Sequence, residues 1–138
     1  MINSKQLQVG NEAEKIVQEL FKQYGYWAYI TPKGKDGSQP VDIIAMKANS
    51  NWLVDVKHVR TEEVSFPFNR IEANQITSMD YAYNFSNIKK VGFAIYFERI
   101  NRCVYMPYIK YLDLKKNGRK SVNVNELYSL EAYLKWLK

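Results

Sequence analysis

Apolar and polar positions repeat with two different periods along the chain. Over residues 11–24, Ala13, Ile16, Val17, Leu20, Phe21 and Tyr24 recur at helical spacing, with Glu12, Lys15, Glu19 and Lys22 largely on the other side. This spacing predicts a helix with Asn11 as its N-cap and Gly25 just past its end. WAYIT (27–31) has strand composition, and TPKGKDGSQP (31–40) reads as a loop. VDIIAMK and NWLVDVKHV are two apolar runs around KANSN, the pattern of a hairpin. FPFNRIEANQITSMDYAYNF leads into a second helix over about residues 70–84, with Ile71, Ile76, Met79, Ala82 and Tyr83 as a partial stripe. VGFAIYFERI (91–100) and CVYMPYI (103–109) predict two more strands, joined by a polar turn at Asn101 and Arg102. KKNGRK reads as a solvated turn. NELYSLEAYLKWLK predicts a closing helix, with Leu127, Leu130, Leu134 and Leu137 on one side. The order α-β-β-β-α-β-β-α predicts an α/β fold with a mixed sheet flanked by helices, in one domain over residues 1–138.

Composition narrows the class. A chain of 138 residues is long enough for a hydrophobic core, and its eleven tyrosines are unlike a disordered sequence. No apolar run approaches the about 20 residues that span a bilayer, and MINSKQLQVGNE lacks the apolar segment of a signal peptide. With a single cysteine, Cys103, no internal disulfide framework is possible, and a cytoplasmic location is expected. The net charge of +6 favours a polyanionic partner. No glycine-rich phosphate loop is present, so no nucleotide cofactor is expected. One histidine and one cysteine cannot make a structural zinc site.

Charges interrupt the hairpin. Asp42 stands near the start of its first run, and Asp55 and Lys57 break the second. Burying such groups costs several kcal/mol unless they are paired or bind a metal. Alternation along a strand puts Asp55 and Lys57 on one face and Val54, Val56 and His58 on the other. A hairpin centred between Ala48 and Asn49 sets Asp42 opposite Asp55, with Cβ atoms about 4.5–5.5 Å apart. Two carboxylates at that distance repel unless a proton or cation intervenes. Mg²⁺ suits one or two carboxylates with carbonyl and water oxygens, and the Val56 carbonyl lies between the two side chains. A cross-strand Asp–Lys ion pair accounts for the same spacing, so spacing alone leaves both readings open. His58 faces away and is rejected as ligand or base.

The neighbouring residues carry a resemblance. Glu14 on the first helix, then Asp42, then Asp55-Val56-Lys57 resembles the PD-(D/E)XK nuclease superfamily, whose αβββαβ core matches the predicted order. Gly10-x-x-x-Glu14 looks like the opening of several members, and Pro40-Val41-Asp42 stands at the family's Pro-Asp with one residue inserted. Two groups of Holliday junction resolvases are similar. The archaeal enzymes share Gly-x-x-x-Glu, Asp42–Ala45 and a glutamine after the lysine. The RecU-type enzymes of Gram-positive bacteria and their phages share Ser65-Phe66-Pro67, Ile71 and Asn74-Gln75-Ile76. The likeness runs over about residues 8–113. Asp55 replaces the commoner Glu, Asn74 the usual His, and the 32–40 loop is too short for the cellular RecU stalk, as in a compact phage-like form.

The resemblance implies a restriction-endonuclease-like αβββαβ core with an extra C-terminal helix. It implies a metal site of Asp42, Asp55 and the Val56 carbonyl, with Glu14 supporting the ion directly or through water. It makes Lys57 catalytic and gives Gln75 a positioning role. Lys33, Lys35, Arg60 and Arg70 are expected to contact DNA phosphates. The expected activity is Mg²⁺-dependent cleavage of branched DNA, with Mn²⁺ able to substitute: a homodimer resolving Holliday junctions by paired nicks in recombination and repair. Two alternatives stay open. One is a restriction-like, repair or transposon-end nuclease of the same superfamily acting on duplex DNA; the other is a basic DNA-binding module without catalysis. Lys115, Lys116, Arg119 and Lys120 read as a solvated turn. Tyr81 and Tyr83 are candidates for stacking on unpaired bases, and the C-terminal leucines with Trp136 for packing on the sheet or pairing two subunits.

Overall fold

The computed structural model describes residues 4–33 and 41–136, with side chains from residue 12 onward. Helix α1 (Ser4–Gln23) buries Ala13, Val17 and Phe21 along one stripe. It starts seven residues before the Asn11 cap expected from the sequence. Asn11 is a local start signal only, and the residues before it contain no proline and continue the helix through Gly10. The other end is as expected. Gly25 adopts φ +87°, Tyr26 N–H donates to the Phe21 carbonyl at 3.1 Å and Gly25 N–H to Lys22 at 3.0 Å, a Schellman closure.

Strands β1 (Trp27–Ile30), β2 (Ile43–Lys47), β3 (Ser50–Val59), β5 (Lys90–Phe97) and β6 (Arg102–Pro107) form one sheet in the order β1-β2-β3-β5-β6. Only β3 and β5 are parallel, so the sheet is mixed as expected. The β2–β3 hairpin pairs Ile43 with Val54 and Lys47 with Ser50, which centres it between Ala48 and Asn49. The connection between the parallel pair carries β4 (Ser65–Pro67) and α2 (Ala73–Phe85).

Two cores cover the sheet. On one face Val17 and Phe21 meet Ile43, Ala45, Trp52, Val54 and Tyr105. Phe21 and Tyr105 ring centroids lie 5.5 and 5.1 Å from Trp52 in edge-on contacts, each worth about 0.5–1.5 kcal/mol beyond area burial. On the other face Phe66, Met79, Phe93, Ile95 and Tyr111 pack together. β5 is buried along most of its length because helices lie over both sides.

The last third departs from the expected pattern. Residues 108 and 109, read as the end of a strand, and 115 and 116, read as a turn, belong to helix α3 (Tyr108–Lys116). Pro107 ends β6, and Tyr108, Tyr111 and Leu114 are buried three residues apart, while Ile109 and Leu112 are exposed and blur the stripe. Arg119 is not simply solvated, since its guanidinium makes two bonds to Glu126 at 2.8 and 2.6 Å. A two-stranded sheet of β4 with β7 (Ser121–Asn123) was also not foreseen. Its strands are three residues each and far apart in sequence, too short for alternation to register. The closing helix α4 is only Leu130–Lys135, with Ser129 Oγ accepting the Ala132 N–H at 3.1 Å. The expected leucine stripe is divided. Leu127 joins the α2-side core, whereas Leu130 and Leu134 join the α1 side. Leu137 lies outside the described residues, and Trp136 is exposed.

Candidate active site

β2 pairs with β3 only as far as Ile43 opposite Val54. The register continued by one residue sets Asp42 against Asp55, where the two strands part. Asp42 is fixed from both sides of its backbone: Thr31 N–H donates to its carbonyl at 2.9 Å, and its own N–H reaches Val54 O at 3.0 Å. Its carboxylate Oδ2 accepts the Val56 N–H at 2.7 Å. The side chain of Asp42 is thereby turned onto the β3 backbone, beside Asp55.

Asp55 and Lys57 lie on the α2 face, as alternation requires. Lys57 Nζ stands 3.2 Å from Asp55 Oδ2, and the two side chains are 11% and 2% exposed. That approach lacks hydrogen-bond alignment, so Asp55 Oδ2 is buried beside a charge yet accepts no hydrogen bond. The other oxygen, Oδ1, accepts from Gln75 Nε2 at 3.2 Å. Gln75 Oε1 accepts from Lys57 Nζ at 2.9 Å and from Glu72 N–H at 3.0 Å. The glutamine therefore performs two tasks with one side chain. It closes the capping box at the start of α2 and spaces Asp55 from Lys57.

Electrostatics follow from burial. Asp55 is pushed well above the usual carboxylate range, first by desolvation and then by the Asp42 charge, with Lys57 opposing. Glu14, buried on α1, is raised to about 7 by desolvation and by Asp42, with Lys33 acting the other way. Glu14, Asp42 and Asp55 are the only buried charged side chains among the described residues. They come from α1, the start of β2 and the middle of β3, and they share one electrostatic neighbourhood.

This donor set fits a hard divalent cation. Among the described residues no three His, Cys, Asp or Glu side chains are close enough to hold an ion by themselves. Asp42 and Asp55 with the Val56 carbonyl would supply protein oxygens, and Mg²⁺ commonly keeps several waters. Asp55 Oδ2, which has the Lys57 charge beside it but accepts no hydrogen bond, is the atom such an ion would satisfy. Glu14 would support such an ion through water.

The other candidates separate clearly. Lys33 is exposed, and Lys35 and Pro40 lie outside the described residues. Arg60 and Arg70 line one open cavity past the end of β3. His58 Nε2 meets Glu98 Oε1 at 3.0 Å on the opposite side of the strand from Lys57. Tyr83 packs near Tyr108 and under Lys89, while Tyr81 is exposed beside Phe85. No helix among the described residues is long and apolar enough to cross a membrane.

A five-stranded mixed sheet with helices on both faces, and acidic residues with a lysine where its strands part, defines the class: a nuclease of the PD-(D/E)XK superfamily. Within it the chain belongs to the restriction endonuclease family Mrr_cat, whose model matches residues 7–94. Solved structures share the fold. The Holliday junction resolvase Hjc of the archaeal hyperthermophile Archaeoglobus fulgidus superposes with a TM-score of 0.67 at 14% identity, over 91% of this chain and 99% of that one. D212, a nuclease from a fusselovirus, gives a TM-score of 0.58 at 13% identity, over 97% of this chain and 92% of that one. No curated protein matches the sequence.

Proposed function

We propose that the protein is a Mg²⁺-dependent endonuclease that nicks branched DNA, Holliday junctions above all, as a homodimer. The observation that carries the catalytic part is Asp55 Oδ2, buried and without a hydrogen bond beside Asp42 and Lys57. Lys57, at 3.2 Å, meets the charge of one carboxylate only, so Asp42 and Asp55 buried together as carboxylates keep an excess that a divalent ion would neutralise. When bound, the ion supplies neutralising charge and activation of water and phosphoryl oxygen. Asp42 is held for this by the Val56 N–H, and Asp55 by Gln75. Lys57, kept 2.9 Å from Gln75 Oε1, retains N–H groups to stabilise the charge that builds on phosphate oxygens. Glu14 holds a proton or a water at the edge of the site.

The junction preference is supported by the Ser65-Phe66-Pro67, Ile71 and Asn74-Gln75-Ile76 pattern and by the likeness to Hjc. Symmetric nicks require two sites related by a two-fold axis, and a homodimer provides them. A second reading, cleavage of duplex DNA, is favoured by the restriction endonuclease family match.

Asp55→Asn tests the site. With Mg²⁺ or Mn²⁺, wild type is expected to nick a four-way junction, and the variant to lose about 100-fold or more while still binding DNA. A variant that cuts as well as wild type sinks the assignment. Competition between a four-way junction and matched duplex decides the substrate. Equal affinity at moderate salt favours the duplex reading.

A further inference from the structure

The strongest unassigned feature lies at the C-terminal ends of parallel strands β3 and β5, past the candidate active site. An open cavity of about 510 Å³ is lined there by His58, Arg60, Thr61, Arg70, Glu98 and Arg99. Its three arginines come from separate segments: Arg60 follows β3, Arg70 precedes α2 and Arg99 follows β5. Parallel pairing brings them together, since Val59 lies opposite Phe97. Two are held by backbone carbonyls. Arg70 Nη2 donates to the His58 carbonyl at 2.9 Å, and its guanidinium carbon lies 5.4 Å from the Phe66 ring centroid. Arg99 Nε donates to the Arg60 carbonyl at 3.3 Å.

Those bonds use one N–H each of the five that a guanidinium carries. The cavity's single carboxylate, Glu98, is engaged by His58 at 3.0 Å. None of the three arginines forms an ion pair among the described residues. Arg119, elsewhere on the surface, has its own glutamate. Three like charges held in one concavity with a single carboxylate, itself engaged by His58, repel one another, and a phosphodiester relieves that repulsion with bidentate geometry.

Resting on the reading of this protein as a nuclease, we propose that Arg60, Arg70 and Arg99 form a cradle for a backbone phosphate of the strand being cut. Arg60 lies three residues beyond Lys57, about 10 Å at ~3.3 Å per strand residue. At one phosphate per ~3.4 Å of helix axis on each strand, the held phosphate is within about three nucleotides of the scissile one. Arg99 is the member that sequence reading missed. It is 39 residues from Arg60, and only the β3–β5 pairing joins them.

The test is the salt dependence of DNA affinity, measured by fluorescence anisotropy in EDTA so that nothing is cut. Arg99→Gln and Arg60→Gln are each expected to weaken binding and to lower the slope of log K against log salt by part of the about 0.9 that one phosphate contact carries. Arg99→Lys, which keeps the charge and loses the fork, should retain the slope. Lys135→Gln, on α4, should match wild type. A neutral methylphosphonate within about three nucleotides of the cut should weaken wild type more than it weakens Arg99→Gln. Unchanged slopes in both glutamine variants, with melting curves showing folded protein, overturn the cradle. If metal-dependent nicking persists in that case, the nuclease reading stands without it. Altered slopes with no nicking by wild type support the cradle and sink the nuclease reading.

Discussion

At the scale of single residues, Asp55 and Lys57 predict opposite mutational signs within 3.2 Å of one another. Lys57→Met leaves Asp55 beside Asp42 without its cation and should destabilise the metal-free protein by about 3 kcal/mol near pH 8. Asp55 already sits above its ordinary range, so protonation rescues the variant. Its deficit should shrink as pH falls towards 5, checked by denaturant melts at both values. Asp55→Asn removes the repulsion and should leave the metal-free melting temperature equal or higher, even as cleavage is lost. Gln75→Ala makes a third case. It opens the capping box and releases Lys57 together, and should lower stability by about 1 kcal/mol and slow nicking. A capping role alone would lower stability and leave the rate at saturating DNA untouched.

At the scale of elements, the site depends on where β2 and α2 start. β2 begins its ladder at Ile43, so Val56 N–H donates to the Asp42 carboxylate. α2 starts at Ala73, and its first turn puts Gln75 over β3. The segment between carries Phe66, which is fully buried, in a strand of only three residues paired with β7. Phe66 also lies under the Arg70 guanidinium. Phe66→Ala should cost about 3–5 kcal/mol and lower the salt sensitivity of DNA binding by releasing Arg70 from its place in the cradle. Thermal melts and binding isotherms check the two parts separately. Much of this was legible beforehand: the period-2 runs gave the hairpin and its register, and Gly25 marked the end of α1. Helix α3 and the β4–β7 pair were not legible. Exposed Ile109 and Leu112 hid a helical stripe, and a strand of three residues has no period to detect.

At the scale of the whole molecule, three buried carboxyls concentrated in one place make stability depend on pH and on cations. Glu14 titrates near 7 instead of 4.5. A raised carboxyl favours the fold fully below its unfolded value and loses that contribution as pH rises through the folded one. In EDTA the protein should therefore lose roughly 1–2 kcal/mol between about pH 4.5 and 8, after allowance for solvent screening. Glu14→Gln should flatten that profile. Adding Mg²⁺ or Mn²⁺ at pH 8 should raise the melting temperature by mass action, at 100 times Kd by the equivalent of about 2.7 kcal/mol. The rise should vanish in Asp42→Asn.

The sequence by itself indicated the order of α1, β1, β2, β3, α2 and β5 without β4, the facing of Asp55 and Lys57, and, for a hairpin centred between Ala48 and Asn49, the juxtaposition of Asp42 with Asp55, because a period of two fixes the face and the centre of the turn fixes the register. It also drew attention to Gln75, though only through resemblance. The tertiary structure decided what those residues touch. Gln75 became a bridge because α2 crosses β3 at its first turn, and Glu14 came under the influence of Asp42 because α1 packs on the other side of the same sheet. Arg99 met Arg60 only through a parallel strand pair. Local patterning records which way a side chain faces, and only long-range packing brings the charges of distant segments together.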